Sequence, residues 1–130
     1  MLRLYIPELK DYWYEEKLLS DKDTMNYNAG YDVSYSGYHY ETGCIDFKEE
    51  NYQGKYKKRK EEDNFFAYLK DDVKNEFAGY VEYHYNKDEN RYECGIVIEA
   101  SKRKKGYAKE GLKLLCNFAK EKGIKSQYDN

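Results

Sequence analysis

Apolar positions recur along the chain with two rhythms, every second residue in some stretches and every third or fourth in others, and their order predicts an α+β fold. Leu2-Arg3-Leu4-Tyr5 alternates as a short strand does, and Pro7 closes it in a place that suits the first turn of a helix. That helix is predicted over residues 8–19, with Leu9, Tyr12, Trp13, Glu16 and Leu19 on one face and Lys10, Asp11, Glu15 and Lys17 toward water. Asp21, Asp23 and Thr24 offer capping side chains for one further turn. Residues 26–46 interleave Gly30, Gly37 and Gly43 with Tyr27, Tyr31, Tyr35, Tyr38 and Tyr40 and follow neither rhythm, which is long for a plain connection.

Residues 47–63 are strongly charged, with Phe47, Tyr52 and Tyr56 as a sparse apolar face, and predict a helix interrupted by Gly54. Three strand-like runs follow, residues 64–70, 76–85 and 91–99, separated by turn-forming segments, so an antiparallel meander is expected. From residue 105 to 122 the period becomes helical. Ala108, Leu112, Leu115 and Ala119 form one stripe and Tyr107, Gly111, Leu114 and Phe118 an adjacent one, while Lys109, Lys113, Asn117 and Lys120 line the far side. Gly123 suits a left-handed helix cap, and residues 124–130 begin what could be another strand. The expectation is an antiparallel or mixed central sheet flanked by helices.

Composition narrows this. A chain of 130 residues and 15.6 kDa has room for one core, so residues 1–130 are read as a single domain. Leu, Ile, Val and Phe make up only about 18% of it, and 17 tyrosines supply the missing apolar surface provided each hydroxyl finds water or a partner. A net charge of -2 gives no general pull toward nucleic acid or an anionic membrane. No stretch approaches the apolar run that crosses a bilayer and none resembles a secretory leader, so a cytoplasmic protein is expected. Cys44, Cys94 and Cys116 lack metal-ligand spacing with His39 and His84; no metal site and no disulfide is expected, and Cys94 and Cys116 are read as small buried hydrophobes.

The chemistry concentrates between Gly95 and Leu112, which reads as apolar strand, basic turn, small residues and amphipathic helix. The first turn of a helix leaves backbone N–H groups unpaired and carries a partial positive charge, so small residues there admit an anion to the main chain. Lys102, Arg103, Lys104, Lys105 and Lys109 surround that place. The run Arg103-Lys104-Lys105-Gly106-Tyr107-Ala108 resembles the [Q/R]-x-x-G-x-[G/A] signature of the GNAT N-acetyltransferase superfamily. The order of elements resembles the family's as well, over nearly the whole chain.

The resemblance implies acetyl transfer from acetyl-coenzyme A to an amine, with no metal. It implies that main-chain N–H groups from Lys105 to Ala108, with Lys109, hold the coenzyme's pyrophosphate beside Arg103 and Lys104. Val97 and Ile98 would pair with the pantetheine arm and present one amide to the thioester carbonyl, a contact typically worth a few kcal/mol in a transition state. Glu93 is the first candidate base and Glu82 the second; both could equally be ordinary exposed strand residues. Tyr35, Tyr38, His39 and Tyr40 could border the acceptor or simply fill gaps in the core. Relatives continue past the signature helix with a full strand, a helix and a hairpin, whereas this sequence stops at Asn130. It is therefore read as a truncated member with an open sheet edge, expected to associate with a second copy, and a coenzyme-binding remnant without turnover is the alternative.

Two rivals give way on context. Gly106-x-Ala108-x-x-Gly111 imitates a dinucleotide fingerprint, but several polar residues separate it from the preceding strand, and the strands before it look like hairpins. Lys57-Lys58-Arg59-Lys60 beside tyrosines suggests nucleic acid, yet Glu49, Glu50, Glu61, Glu62 and Asp63 flank the cluster, as on a solvated helix face.

Overall fold

The computed structural model describes residues 1–32, 36–61, 63–124 and, for the backbone alone, 128–129. In chain order its elements are β1 (Leu2–Tyr5), α1 (Trp13–Ser20), α2 (Lys22–Met25), α3 (Tyr52–Lys58), β2 (Phe65–Asp71), β3 (Glu76–Asn86), β4 (Arg91–Ile98), α4 (Tyr107–Glu121) and β5 (Tyr128–Asp129). They fall into two compact units, one of residues 1–6 and 57–130 and the other of residues 7–56.

The larger unit is a sheet of order β1-β2-β3-β4-β5, antiparallel through β4, with β5 running parallel to β4 beside Glu93 and Cys94. The meander forms because turn-formers separate three runs rich in aromatic and β-branched residues, and Asn75 and Asn90 adopt the positive φ that the turns need. A bulge opposite Leu69 and Lys70 adds a residue to β3 at Ala78. It brings Gly79 so close to β4 that a Cβ there would lie 2.0 Å from the Val97 carbonyl oxygen.

Helix α4 lies across one face over Leu2, Ala67, Leu69, Val81, Cys94 and Ile98, with Phe118 stacked 4.1 Å from Phe65. The stripe it buries is Tyr107, Gly111, Leu115 and Ala119, and Ala108, expected within a buried stripe, is exposed. Gly111 sets the approach, because a Cβ there would stand 2.6 Å from Leu69 Cδ1. Cys94 is buried as expected, but Cys116 is exposed one turn from that stripe, which corrects its reading as a core residue. On the opposite face Phe66, Tyr68 and Tyr80 are buried, with Tyr68 4.9 Å from Phe77, and the Arg59 guanidinium lies 3.6 Å over the Phe66 ring rather than out in solvent.

In the smaller unit the first helix is broken. Residues 9–11 form a 3-10 turn and α1 begins only at Trp13. A tighter turn rotates each residue further about the axis, so the predicted face does not survive the junction. Tyr12, Tyr14, Leu18 and Leu19 are buried together with Asp11 and Glu15, both expected in water, while Leu9 and Trp13 are exposed. Asp11 accepts the Glu8 N–H at 3.0 Å, which accounts for a carboxylate in that position. Tyr12 centres a ring cluster with Phe47, Tyr52 and Tyr56, each about 6 Å away. Among residues 26–46, Tyr38 pairs with Ile45 as an isolated bridge, and the Tyr38 hydroxyl donates to the Asn28 carbonyl at 2.7 Å. That assigns Tyr38 a structural bond within the segment; His39 lies 2.8 Å from Asp46, Tyr40 is exposed, and Tyr35 lies outside the described residues. The charged helix expected over residues 47–63 is shorter, a 3-10 turn and then α3, whose end carbonyl at Lys58 accepts from the Asn64 side chain.

Candidate functional site

The end of β4 and the start of α4 form one continuous stretch of the larger unit. The Glu99 N–H donates to Ala78 on β3, so by the alternation of an antiparallel ladder the main-chain groups of Ile98 point away from β3. Among the described residues, β5 covers that far edge only at Glu93 and Cys94. The edge from Gly95 to Ile98 therefore offers backbone groups to an extended partner, in the way a peptide adds a strand to a sheet.

A 3-10 turn at Ala100–Lys102 follows, and Ser101 donates to the buried Glu99 carboxylate at 3.0 Å. Lys104 takes φ 67° and Gly106 φ 78°, two left-handed residues that turn the chain into the helix. A side chain at Gly106 would carry a strain of about 1–2 kcal/mol and would fill open space in front of the helix end. The first intrahelical bond is Glu110 N–H to the Gly106 carbonyl, so the N–H groups of Tyr107, Ala108 and Lys109 precede it, and Gly106 at the cap position has no side chain to bond them. Gly106 and Ala108 are exposed, as are Arg103, Lys104, Lys105 and Lys109. Lys102 differs from these: its ammonium pairs with Glu76 at 3.1 Å and is mostly covered, so it does not join the cationic ring expected around the helix end.

Two bonds pin this helix end to the sheet. Tyr107 points inward and its hydroxyl donates to Asp71 Oδ2 at 2.8 Å, while Asp71 Oδ1 accepts the Val73 and Lys74 N–H groups. These bonds, Tyr107's first, hold the Asp71 carboxyl below the usual carboxylate range, and the Asp71 bond in turn pushes the Tyr107 phenol up. In the first turn Glu110 accepts the Leu2 N–H at 2.8 Å, tying α4 to β1. None of this was visible in the sequence, because Asp71 sits in a polar turn segment and Tyr107 is the variable position of the signature.

The candidate acid-base residues lie on the face turned away from α4. Val81, Tyr83, Cys94 and Ile98 line the α4 side, so their neighbours Glu82, His84, Glu93 and Val97 project to the other. The register sets Glu82 opposite Gly95 and His84 opposite Glu93. Glu93 is mostly covered: Oε2 accepts from Arg91 at 3.0 and 3.2 Å, and Oε1 lies 3.4 Å from His84 Nε2. The Arg91 bonds come first among the causes that hold the Glu93 carboxyl below its ordinary range, with Asn86 and His84 adding to them. Glu82 lies beside Gly95, its Cγ 3.7 Å from where a Cβ would stand. Sequence reading missed His84 and Arg91, although the hairpin register brings His84 to Glu93 and the alternation of the strand sets Arg91 on the same face two residues away. Among the described residues, no three His, Cys, Asp or Glu side chains gather as metal ligands, and no helix is long and apolar enough to cross a membrane.

The sequence model of the acetyltransferase (GNAT) family matches residues 27–128. The chain belongs to the GNAT acetyltransferase family. No curated protein is similar enough in sequence to match. Solved structures share the fold. A GNAT-family acetyltransferase from Bacillus anthracis superposes with a TM-score of 0.67 at 23% identity, over 98% of this chain and 68% of that one. Spermidine N-acetyltransferase from Vibrio cholerae, in complex with CoA and spermine, gives 0.73 at 16% identity over 98% and 69%. Glucosamine-6-phosphate N-acetyltransferase from Arabidopsis thaliana gives 0.61 at 11% identity over 100% and 82%. The run that resembles the family signature, residues 103–108, lies where the chain turns from β4 into α4.

Proposed function

We propose that residues 1–130 work as one cytoplasmic N-acetyltransferase domain that moves acetyl from acetyl-coenzyme A to a primary amine of a small molecule or protein. The observation that carries this is the exposed, uncapped start of α4, where Gly106 leaves the amides of Tyr107, Ala108 and Lys109 open to a diphosphate beside Lys104, Lys105 and Lys109. Arg103 adds a further exposed cation to that turn. The edge of β4 that the described residues leave open would take the pantetheine arm beside Val97 and Ile98, with the Ile98 N–H, which points away from β3, toward the thioester carbonyl. Glu93 and Glu82 face the side on which the amine would be deprotonated.

Calorimetric titration with coenzyme A, followed by thiol release from acetyl-coenzyme A with a panel of amines, tests the reading. The panel includes polyamines and amino sugars, because relatives of the same fold act on such amines. Saturable coenzyme A binding with amine-dependent thiol release is expected. Binding without release would favour the coenzyme-binding remnant, and absence of binding would overturn both.

A further inference from the structure

The cross-strand pair on β3 and β4 bears on which group takes the amine proton, and the inference drawn from it rests on the acetyltransferase reading above. Removing a proton from an ammonium calls for an acceptor whose affinity is not far below that of the amine, and a carboxylate stabilised by a guanidinium is a poor one. Glu93 is such a carboxylate. Arg91 holds Oε2 through two bonds, and the other oxygen, Oε1, is turned to the His84 ring 3.4 Å away.

We infer that His84 is the proton acceptor of the acyl transfer and that Glu93, fixed by Arg91, orients its imidazole. With Nε2 directed at the Glu93 carboxylate, the neutral ring keeps its proton on that nitrogen and leaves the Nδ1 lone pair to accept another. The acceptor's ammonium gives up one proton, which passes along water to Nδ1. The neutral amine attacks the thioester carbonyl carbon, the C–S bond breaks, and the second nitrogen proton ends on the coenzyme A thiol. The imidazolium formed faces Glu93 and then returns its proton to solvent, which reaches a side chain that is 41% exposed. His84 and Glu93 stand four residues along their strands from Tyr80 and Val97, roughly 13 Å at the rise of a β-strand, so the transfer is a relay rather than direct contact.

The groups that can influence the ring on its own face are few. Glu93, Arg91 and Asn86 lie on the β4 side or at the hairpin end, and Glu82 is two residues back on β3. On the β2 side the residues of that face are Phe66 and Tyr68, and the Arg59 guanidinium, 3.6 Å over the Phe66 ring, is the further charged group there.

The experiment compares His84→Gln, His84→Ala and Glu93→Gln with the unmodified chain, measuring coenzyme A affinity, amine-dependent thiol release and its pH profile. His84→Gln is expected to keep coenzyme A affinity within twofold, lower kcat/KM by about 100-fold, and erase the limb on which activity rises with pH. Added imidazole should restore part of the activity of His84→Ala, which a merely structural histidine would not permit. Glu93→Gln should cost less, about tenfold, and keep the limb, because His84 is still there to take the proton while its ring is no longer held. If His84→Gln retains activity within threefold while Glu93→Gln loses the limb, Glu93 takes the proton itself and the inference is overturned. Should a histidine variant fail to bind coenzyme A, the pH profile of Glu93→Gln decides between the same two outcomes. If the unmodified chain binds coenzyme A but releases no thiol with any amine, the acetyltransferase reading falls, and this inference with it.

Discussion

The core beneath α4 and the core around Tyr12 solve the same problem with different side chains. Under α4, Leu2, Ala67, Leu69, Val81 and Leu115 close the sheet with surfaces that need no polar partner, and aromatic stacking is confined to one end at Phe65, Tyr83 and Phe118. Around Tyr12 the filling is Phe47, Tyr52 and Tyr56, and a tyrosine ring can be buried cheaply only if its hydroxyl is satisfied. Tyr52 answers this by donating to Glu16 Oε1 at 2.5 Å. The first kind of core depends on volume and is indifferent to pH, whereas the second depends on a small number of polar bonds and carries their titration. The start of α4 mixes the two, since Leu115 and Ala119 hold the helix down while the Tyr107–Asp71 bond, with the Leu2 N–H bond to Glu110, fixes its first turn.

The largest effect should come from volume. Leu115→Ala empties a fully buried position and should cost about 2–5 kcal/mol, read as a fall in denaturant midpoint with an unchanged slope. Leu18→Ala, equally buried in the smaller unit, serves as its counterpart. Equal costs would mean that the smaller unit relaxes no better than the core beneath α4, and a much smaller cost at Leu18 would show that the smaller unit closes over the gap.

Next comes the exposed end of the helix, where no core is disturbed. Gly106→Val should weaken coenzyme A binding by tenfold or more while leaving the far-UV spectrum in place, because it forces a branched side chain into φ 78° and puts atoms where the diphosphate would lie. Equal affinity in that variant would remove the site.

How far the sequence carried depends on the same contrast. The strands from Phe65 to Ile98 and the helix from Tyr107 onward were legible within a few residues, because each is long enough for its period to show and is bounded by turn-formers or Gly123. Residues 8–19 were misread because a 3-10 turn of three residues shifts the phase without changing composition, so Glu15 went inside and Trp13 outside. In the candidate site, the exposed start of α4 was legible from Gly106 and its cationic neighbours. The Tyr107–Asp71 bond was not, since it depends on where α4 lands on the sheet, nor was the meeting of His84 with Glu93, which depends on which residues stand opposite one another across the hairpin.

Tyr107→Phe is expected to have a smaller effect than Leu115→Ala on stability but a specific one on pH. The Asp71 carboxyl is depressed in the folded chain, so its contribution is present above the ordinary carboxylate range and is lost as pH falls through the lowered value. Midpoints measured from pH 7 down to pH 3 should fall less steeply in Tyr107→Phe than in the parent. Identical acid limbs would show that the Val73 and Lys74 N–H groups alone hold that carboxylate.

The smallest effect, and the one that most directly separates the two cores, lies at the alkaline end. Burial first, and then Glu16, push the Tyr52 phenol up to about 12. A phenol raised in the folded state leaves stability intact below its unfolded value of about 10, and stability is lost as pH climbs from there through the folded value. Tyr52→Phe removes both the bond and the titration, so its unfolding midpoint should lie slightly below the parent's at pH 8 and approach it by pH 11. The two chains should also differ in phenolate absorbance by one late-titrating group. A constant gap between the midpoints would mean that Tyr52 serves the ring core by volume alone, as the leucines do beneath α4.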